Sequence, residues 1–257
     1  MRSTDTELGI PGLLDAALQA ARAGASVLRE GYGAIGDIRG KGEDGNLVTD
    51  IDVAAEHATR ESLARNRPND LITGEELPDV TPLGAVVRWS IDPLDGTTNF
   101  TRGIPYFATS VAAVEIASGE WLVGTVNAPL LDRTYFAARG LGAWLDDPSG
   151  LHRLLGPNNA TSARLLGTGY SYSAETREEQ YAAVRKTMAG FTDTRALGSA
   201  ALAICAVAEG ALDAYIESDL DEYDWAGAAV VAEQAGLAVV RPTATDRMLR
   251  VEPPPPL

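Results

Sequence analysis

The sequence predicts a mixed fold in which an α+β N-terminal half precedes an α/β C-terminal half. Three observations lead to this prediction. A long amphipathic helix begins the chain, short apolar segments follow one another between residues 86 and 138, and strand-like and helix-like segments alternate after about residue 150. A chain of 257 residues is long enough for one large domain or for two of about 100–150 residues each.

Two helices and a short strand are predicted in the first third of the chain. Apolar residues recur at helical spacing over residues 13–28, as in a helix that packs on a sheet. A second helix is predicted over residues 53–67. Asp50 and Asp52 stand just before it, where acidic residues cap a helix and complement its dipole. The segment 71–76 reads as a short strand that ends in two adjacent acids.

A buried strand with an acidic end is predicted next, over residues 86–91. The strand is expected to stop at Asp92, because Pro93 fixes its own φ and has no N–H to donate to a sheet. Asp92 and Asp95 then lie three residues apart around a bend, close enough to converge on one divalent cation. Residues 96–99 are small and rich in N–H groups, as at a helix start that binds phosphate. An ordinary surface turn is the alternative reading of this motif.

The remaining segments complete the two halves. Residues 107–117, 121–126 and 133–138 are expected to form an antiparallel meander. Residues 145–159 are read as a loop, which places the boundary between an N-terminal half, 1–147, and a C-terminal half, 148–257. In the second half we expect strands at 164–168 and 211–216 and helices at 174–189, 197–209 and 225–235. The proline-rich tail from residue 251 is expected to join no core.

Composition limits the possible functions. The formal net charge of −15 argues against a nucleic-acid partner, which needs Lys and Arg to replace counterions. The N-terminus has no apolar signal sequence, and no run approaches the ~20 apolar residues of a membrane span. One cysteine and two histidines leave no disulfide within the chain and argue against a His- or Cys-rich metal site. A cytoplasmic protein without membrane contact is expected.

Four separated acidic signals resemble the inositol monophosphatase family of metal-dependent phosphatases. They are the acids before residue 53, the G-E-E string at 74–76, the I-D-P-L-D-G-T-T-N-F string at 91–100, and the D-W-A-G-A-A string that begins at Asp224. Tyr223 stands where the family usually has Trp. The resemblance covers roughly residues 10–240. It implies a layered α-β-α-β-α sandwich of the sugar-phosphatase type, a homodimer, two or three Mg²⁺ per active site and inhibition by lithium.

The resemblance also assigns roles to individual residues. It implies metal ligation by Glu75, Asp92, the backbone carbonyl of Leu94, Asp95 and Asp224. It implies that Thr97, paired with Asp52, orients the attacking water. Asp52 is preferred to Asp50 because the string L-V-T at 47–49 aligns with the family's string five residues before that acid. It implies substrate contacts from Gly96, Thr97, Gly198, Ser199, Ala200 and Glu217. Lys41 and Glu76 are further candidates.

The expected reaction is hydrolysis of inositol monophosphate or a similar small polyol phosphate by direct attack of water. Related phosphatases act on histidinol phosphate, fructose 1,6-bisphosphate or phosphoadenosine phosphate, and these remain alternatives. Asp50-Ile51-Asp52-Val53 also fits the motif of haloacid dehalogenase-like phosphatases, in which the first Asp is a covalent nucleophile. A non-catalytic metal-binding protein is the remaining alternative. Two departures from the family are Ser199, where many relatives have Thr, and the lack of a predicted strand and helix after residue 236.

Overall fold

A computed structural model describes residues 9–33, 38–40, 47–158 and 163–255. Lys41 lies outside the described residues. The helices are α1 (Ile10–Gly31), α2 (Asp50–Asn66), α3 (Thr97–Thr101), α4 (Ala174–Thr187), α5 (Ala200–Glu209) and α6 (Glu222–Gln234). The strands are β1 (Ile38–Gly40), β2 (Leu47–Thr49), β3 (Leu71–Gly74), β4 (Val87–Asp95), β5 (Ala108–Glu115), β6 (Trp121–Ala128), β7 (Arg133–Ala138), β8 (Gly142–Asp147), β9 (Gly150–Leu154), β10 (Leu165–Thr168), β11 (Asp193–Arg195), β12 (Ala214–Ser218), β13 (Ala238–Val240) and β14 (Met248–Glu252).

Two larger sheets and a two-stranded ribbon organise these strands. The first sheet has the order β3-β4-β5-β6-β7-β8-β9, in which β3 and β4 are parallel and every later pair is antiparallel. The second sheet has the order β11-β10-β12-β14-β13, parallel around β10 and antiparallel around β14. The ribbon pairs β1 with β2, directly before α2. The predicted antiparallel meander is therefore confirmed.

The elements stack in five layers, as the predicted α-β-α-β-α sandwich requires. Helices α1 and α2 cover one face of the first sheet, where Leu13 and Ala17 join Trp89 and Ile91 in a buried cluster. Helices α5 and α6 lie between the two sheets, and α4 covers the outer face of the second sheet, where Val184 packs on it. Burial of these apolar faces holds the layers together.

Helix α6 approaches the first sheet unusually closely because glycines face each other. A Cβ atom at Gly124 of β6 would lie 2.2 Å from the carbonyl oxygen of Gly227, and one at Gly227 would lie 2.5 Å from Oγ of Ser110. Neither position has room for a side chain. This contact fixes the height of α6 above β5 and β6, and with it the position of Asp224 in the first turn of α6.

Several local predictions were wrong, each for a structural reason. Strand β4 does not stop at Asp92: it continues through Pro93 to Asp95, because its pairing with β5 shifts register there and the proline, which has no N–H, falls in the irregular stretch. The supposed loop 145–159 contains β9 and the end of β8, which form a hairpin in the first sheet. The predicted boundary at 147/148 falls in the turn of that hairpin, and the division into halves stays a prediction.

The segment that follows α6 also differs from its prediction. Strands β13 and β14 add to the second sheet, and Leu249 and Val251 are fully buried, so the chain joins the core as far as Glu252. Strand β14 was not recognised in the sequence because the charged Arg250 and Glu252 interrupt its apolar residues. Helix α6 begins at Glu222, and Asp224 therefore lies within its first turn instead of before it. Helix α2 likewise begins at Asp50, where Thr49 is the N-cap.

Candidate active site

A cleft of about 490 Å³ opens between the acidic end of β4, the N-termini of α5 and α6, and the end of β12. Its carboxylates are Glu75, Asp92, Asp95, Glu217, Asp219, Asp221 and Asp224. Among the described residues that line it, Arg247 is the only basic one. The cleft thus has strongly negative walls and would repel a phosphate ester unless a cation were bound.

The register shift in β4 places two carboxylates at the cleft. Asp92 and Asp95 are almost completely buried, and Oδ1 of Asp92 accepts a hydrogen bond of 3.0 Å from the backbone N–H of Leu94. Gly96 follows with a φ of 103°, in the left-handed region, and a Cβ there would lie 3.1 Å from the carbonyl oxygens of Gly198 and Tyr106. The bend predicted after Asp92 therefore forms inside the strand pairing, and a glycine is required at its end.

Four carboxylates influence one another: Asp92 and Asp95 on β4, Glu75 after β3, and Asp224 on α6. Burial raises the pKa of Asp92 well above its usual range, and the charges of Glu75, Asp95 and Asp224 raise that pKa further. Burial and the charges of Asp95 and Glu75 likewise raise the pKa of Asp224. The cluster is thus electrostatically unfavourable when fully ionised, and a bound cation would reverse this effect.

This donor set suits a hard divalent cation. Carboxylate oxygens and a backbone carbonyl are the ligands that Mg²⁺ accepts, whereas soft or imidazole ligands are missing among the residues described for the cleft. In the described part of the chain, no three His, Cys, Asp or Glu side chains stand as a preassembled metal-ligand group. Asp224 Oδ2 accepts a hydrogen bond from the N–H of Asp221 at 2.7 Å, and both oxygens of Asp95 accept hydrogen bonds at the N-terminus of α5.

Asp95 connects the first sheet to α5. Its Oδ1 accepts from the N–H of Ala200 at 3.1 Å, and its Oδ2 accepts from the N–H of Ala201 at 2.7 Å and from the hydroxyl of Ser199. Burial raises the pKa of Asp95 to about 6, against the lowering effect of these hydrogen bonds. Ser199 is at the same time the N-cap of α5, because its Oγ accepts from the N–H of Leu202. Asp95 therefore acts as an anion at a helix N-terminus.

Thr97 and Asp52 form a second polar pair at the cleft. The Thr97 hydroxyl lies 3.1 Å from Asp52 Oδ1 and 3.1 Å from the Leu94 carbonyl oxygen. Asp52 is fully buried, and its Oδ2 accepts from the N–H and the hydroxyl of Thr49, in the capping box of α2. Burial raises the pKa of Asp52, and the hydrogen bonds from Thr49 and Thr97 oppose this effect. Asp52 is thus held in one orientation with Oδ1 directed at Thr97.

The far wall of the cleft presents Glu217. Its Oε2 accepts a hydrogen bond from the hydroxyl of the buried Tyr215. Burial raises the pKa of Glu217 to about 7, the hydrogen bond from Tyr215 lowers it, and the charges of Asp95 and Asp219 raise it. A Cβ atom at Gly169 would lie 2.1 Å from Oε2 of Glu217, so the glycine leaves the space that this carboxylate occupies.

The predicted site residues mostly meet in this cleft. Those that line it are Glu75, Asp92, Leu94, Asp95, Gly96, Thr97, Gly198, Ser199, Ala200, Glu217 and Asp224, and Asp52 lies directly behind Thr97. Glu76 is not among the lining residues of the described chain, and its backbone N–H binds Glu56 instead. Asp50 is exposed at the first position of α2.

Sequence reasoning missed part of the cleft. Residues 170–173 line it, and the Tyr172 hydroxyl lies 2.8 Å from the hydroxyl of Thr98 across its mouth. Arg247 also lines it and forms an ion pair with Asp219. The G-T-G-Y string at 167–170, at the end of a predicted strand, was the available signal for residues 170–173. Arg247 was missed because no strand or helix was predicted between residue 236 and the tail.

Comparison with known proteins gives a consistent result. A model of the Inositol monophosphatase family matches residues 12–253. An inositol-1-monophosphatase of Mycobacterium leprae is 40% identical over 212 residues, which are 80% of this chain and 72% of that protein. A histidinol-phosphatase of Mycobacterium tuberculosis is 38% identical over 194 residues, 74% of this chain and 72% of that protein.

The fold is also found among solved structures. The inositol monophosphatase of Anabaena (Nostoc) sp. PCC 7120 superposes with a TM-score of 0.79 at 28% identity, covering 95% of this chain and 91% of that one. Among the described residues, no helix has both the length and the apolar composition needed to cross a bilayer.

Proposed function

Since the chain belongs to the inositol monophosphatase family and is a phosphatase, we propose that it hydrolyses the phosphate ester of a small polyol, with inositol monophosphate as the first candidate, by direct attack of water. The observation that carries this proposal is the Asp52–Thr97 pair, which lies beside the carboxylate cluster at one end of the cleft. A water between these groups and the phosphorus would meet both a proton acceptor and a cation site.

We propose that the cleft binds Mg²⁺. The proposed ligands are Glu75, Asp92, the carbonyl oxygen of Leu94, Asp95 and Asp224. When bound, Mg²⁺ supplies positive charge for the phosphoryl oxygens, lowers the pKa of a water and stabilises the leaving ester oxygen. The negative cleft supports this part of the proposal, since a phosphate dianion would otherwise face carboxylates on both walls. Inhibition by lithium is proposed on the same family grounds.

The residues of the chain then prepare the attack. The Thr97 hydroxyl donates a hydrogen bond to Asp52 Oδ1, so a lone pair of the Thr97 oxygen faces the attacking water; as the water loses its proton to this oxygen, the hydroxyl proton passes to Asp52. The buried carboxylate of Asp52, whose pKa is raised by burial, accepts a proton more readily than an exposed one would. The backbone N–H groups of Gly96 and Thr97 are proposed to bind the phosphoryl oxygens. The P–O bond of the ester breaks as the new P–O bond to water forms.

The rest of the cleft is proposed to bind the alcohol part of the substrate. Glu217, fixed by Tyr215, accepts hydrogen bonds from substrate hydroxyls. Backbone groups around Gly198 and Ala200 form the adjoining wall. Histidinol phosphate is a second candidate substrate: Glu217, Asp219 and Asp221 would suit its ammonium group, and one relative is a histidinol-phosphatase.

The test is release of inorganic phosphate by the purified chain from inositol monophosphate, histidinol phosphate, fructose 1,6-bisphosphate and phosphoadenosine phosphate, compared as kcat/KM. Each assay is run with Mg²⁺, with excess chelator, and with lithium added to Mg²⁺. Asp92→Asn should abolish turnover, whereas Asp79→Asn, at an exposed position outside the cleft, should not. Full activity in excess chelator would contradict the metal part. We also propose a homodimer, which light scattering at micromolar concentration would test.

A further inference from the structure

A buried ion pair lies behind the cleft and takes no part in the mechanism above. Glu56 and Arg60 follow one another by four residues on α2, and Arg60 Nε donates to Glu56 Oε1 at 2.7 Å. Glu56 is completely buried and Arg60 is 8% exposed. Charges this deeply buried are retained in proteins only where hydrogen bonds satisfy them, and their gain in stability over apolar residues is often small.

The remaining hydrogen bonds of this pair all go to one backbone segment. Glu56 Oε2 accepts from the N–H of Glu76 at 2.7 Å, and Oε1 accepts from the N–H of Leu77 at 3.3 Å. Arg60 Nη2 donates to the carbonyl oxygen of Leu77 and Nη1 to that of Pro78, each at 2.9 Å. The two side chains thus bind three consecutive residues, beginning directly after Glu75.

The residue before Glu75 is adapted to the same contact. A Cβ atom at Gly74 would lie 2.4 Å from Oε1 of Glu56 and 3.2 Å from Nη2 of Arg60. Glycine is therefore the residue that lets the end of β3 pass over the ion pair. The backbone on both sides of Glu75 is fixed against α2.

Helix α2 also carries Asp52, which lies four residues before Glu56 and so on the same helical face. One face of α2 thus carries Asp52, which contacts Thr97. Glu56 and Arg60 follow on this face one and two turns later, and both bind the segment after Glu75. We propose that Glu56 and Arg60 are positioning residues that hold the backbone at Glu75 at a set place relative to Asp52, so that the backbone of this one candidate ligand is fixed before a cation binds. This inference rests on the proposed function, in which Glu75 is a ligand.

A purely structural role predicts a different result. A pair that only stabilises the fold would lower the melting temperature when removed and would leave the metal affinity of the folded protein unchanged. A positioning pair would weaken metal binding in protein that is still folded. Loss of groups that orient a ligand typically lowers metal affinity by ~10–100-fold.

The experiment compares metal binding by four forms of the full chain. Removal of one charge alone would leave the other buried and unpaired, so the main variant is the neutral Glu56→Met/Arg60→Met double substitution. Arg60→Lys keeps the positive charge but lacks the fork that reaches two carbonyls. Glu61→Gln is the matched control, since Glu61 and Arg65 form an exposed pair at the same spacing on the same helix.

Binding of Mg²⁺ and of Mn²⁺ is measured by calorimetry well below each melting temperature, and backbone amide exchange at Glu76 and Leu77 is measured without metal. We expect the double variant to bind metal ~10–100-fold more weakly and to exchange these amides faster, Arg60→Lys to fall between, and Glu61→Gln to match the unsubstituted chain. Unchanged metal affinity in the folded double variant, or in Arg60→Lys if the double variant does not fold, would overturn the inference. Absence of metal binding by the unsubstituted chain would instead overturn the proposed function.

Discussion

Replacing Thr97 with Ala separates water activation from metal binding. The substitution removes one hydroxyl and leaves every cleft carboxylate in place. That hydroxyl lies 3.1 Å from an oxygen of the fully buried Asp52, whose other oxygen is already held by Thr49. Asp52 therefore cannot turn to another donor without breaking the capping box of α2.

The expected loss follows from this confinement. Removal of one positioned polar group in a water-excluded site typically lowers kcat by ~10²–10³-fold, which is about 2.7–4 kcal/mol. Asp52→Asn should lower kcat by a similar factor because the amide cannot take up the proton. The double variant should lose little more than either single one, since both residues act on the same water.

Steady-state kinetics at several Mg²⁺ concentrations measures these losses. The concentration of Mg²⁺ that gives half-maximal rate should stay nearly unchanged in Thr97→Ala. Thr101→Ala is the matched control: it removes a hydroxyl from the same short helix, and in the described part of the chain that hydroxyl donates to the carbonyl of Thr98. Wild-type kcat in Thr97→Ala, together with no turnover in Asp50→Asn, would refute the reasoning and favour a covalent aspartyl intermediate.

Three further predictions concern the far wall and the junction with α5. Between pH 4.5 and about 7 the folded protein keeps a proton on Glu217 that the unfolded chain releases, so the free energy of unfolding should fall as pH rises through this window. Glu217→Gln should flatten this part of the plot of melting temperature against pH, measured without metal. Parallel plots for the two proteins would contradict the raised pKa of Glu217. Gly169→Ala should displace the Glu217 carboxylate and raise KM for a polyol phosphate while sparing p-nitrophenyl phosphate, and an equal change for both esters would speak against the contact. Ser199→Ala removes the N-cap of α5 and should lower the free energy of unfolding in urea by ~1 kcal/mol; Ser199→Thr, which keeps the hydroxyl, should restore it.

The sequence was most informative where chemistry and local pattern coincide. The strings around Gly74, Asp92 and Asp224 identified carboxylates that the fold does bring into one cleft, although they come from three separate elements. The structure places Asp52 against Thr97 and leaves Asp50 exposed, and the choice of Asp52 over Asp50 as the catalytic acid stays a prediction.

Errors arose where tertiary contacts override local rules. Pro93 lies inside a strand because the register shift in β4 removes the need for its N–H. The β8–β9 hairpin was hidden because β9 lies at the edge of the sheet and four of its five residues are exposed, so it shows no apolar alternation. The contact of Glu56 and Arg60 with the segment after Glu75 was not predicted, because a helical i, i+4 ion pair usually lies on the surface.

The hydrogen bonds of Asp95 have a consequence for the coupling between the cleft and α5. A single side chain is both a candidate metal ligand and the anion that holds the N-terminus of α5. With Asp95 as a metal ligand, metal occupancy and the docking of α5 on the first sheet would be thermodynamically linked, and by reciprocity each would strengthen or weaken the other. If Asp95 ligates Mg²⁺ as proposed, a ligand that moves α5 away from β4 would weaken Mg²⁺ binding without touching any phosphate-binding group.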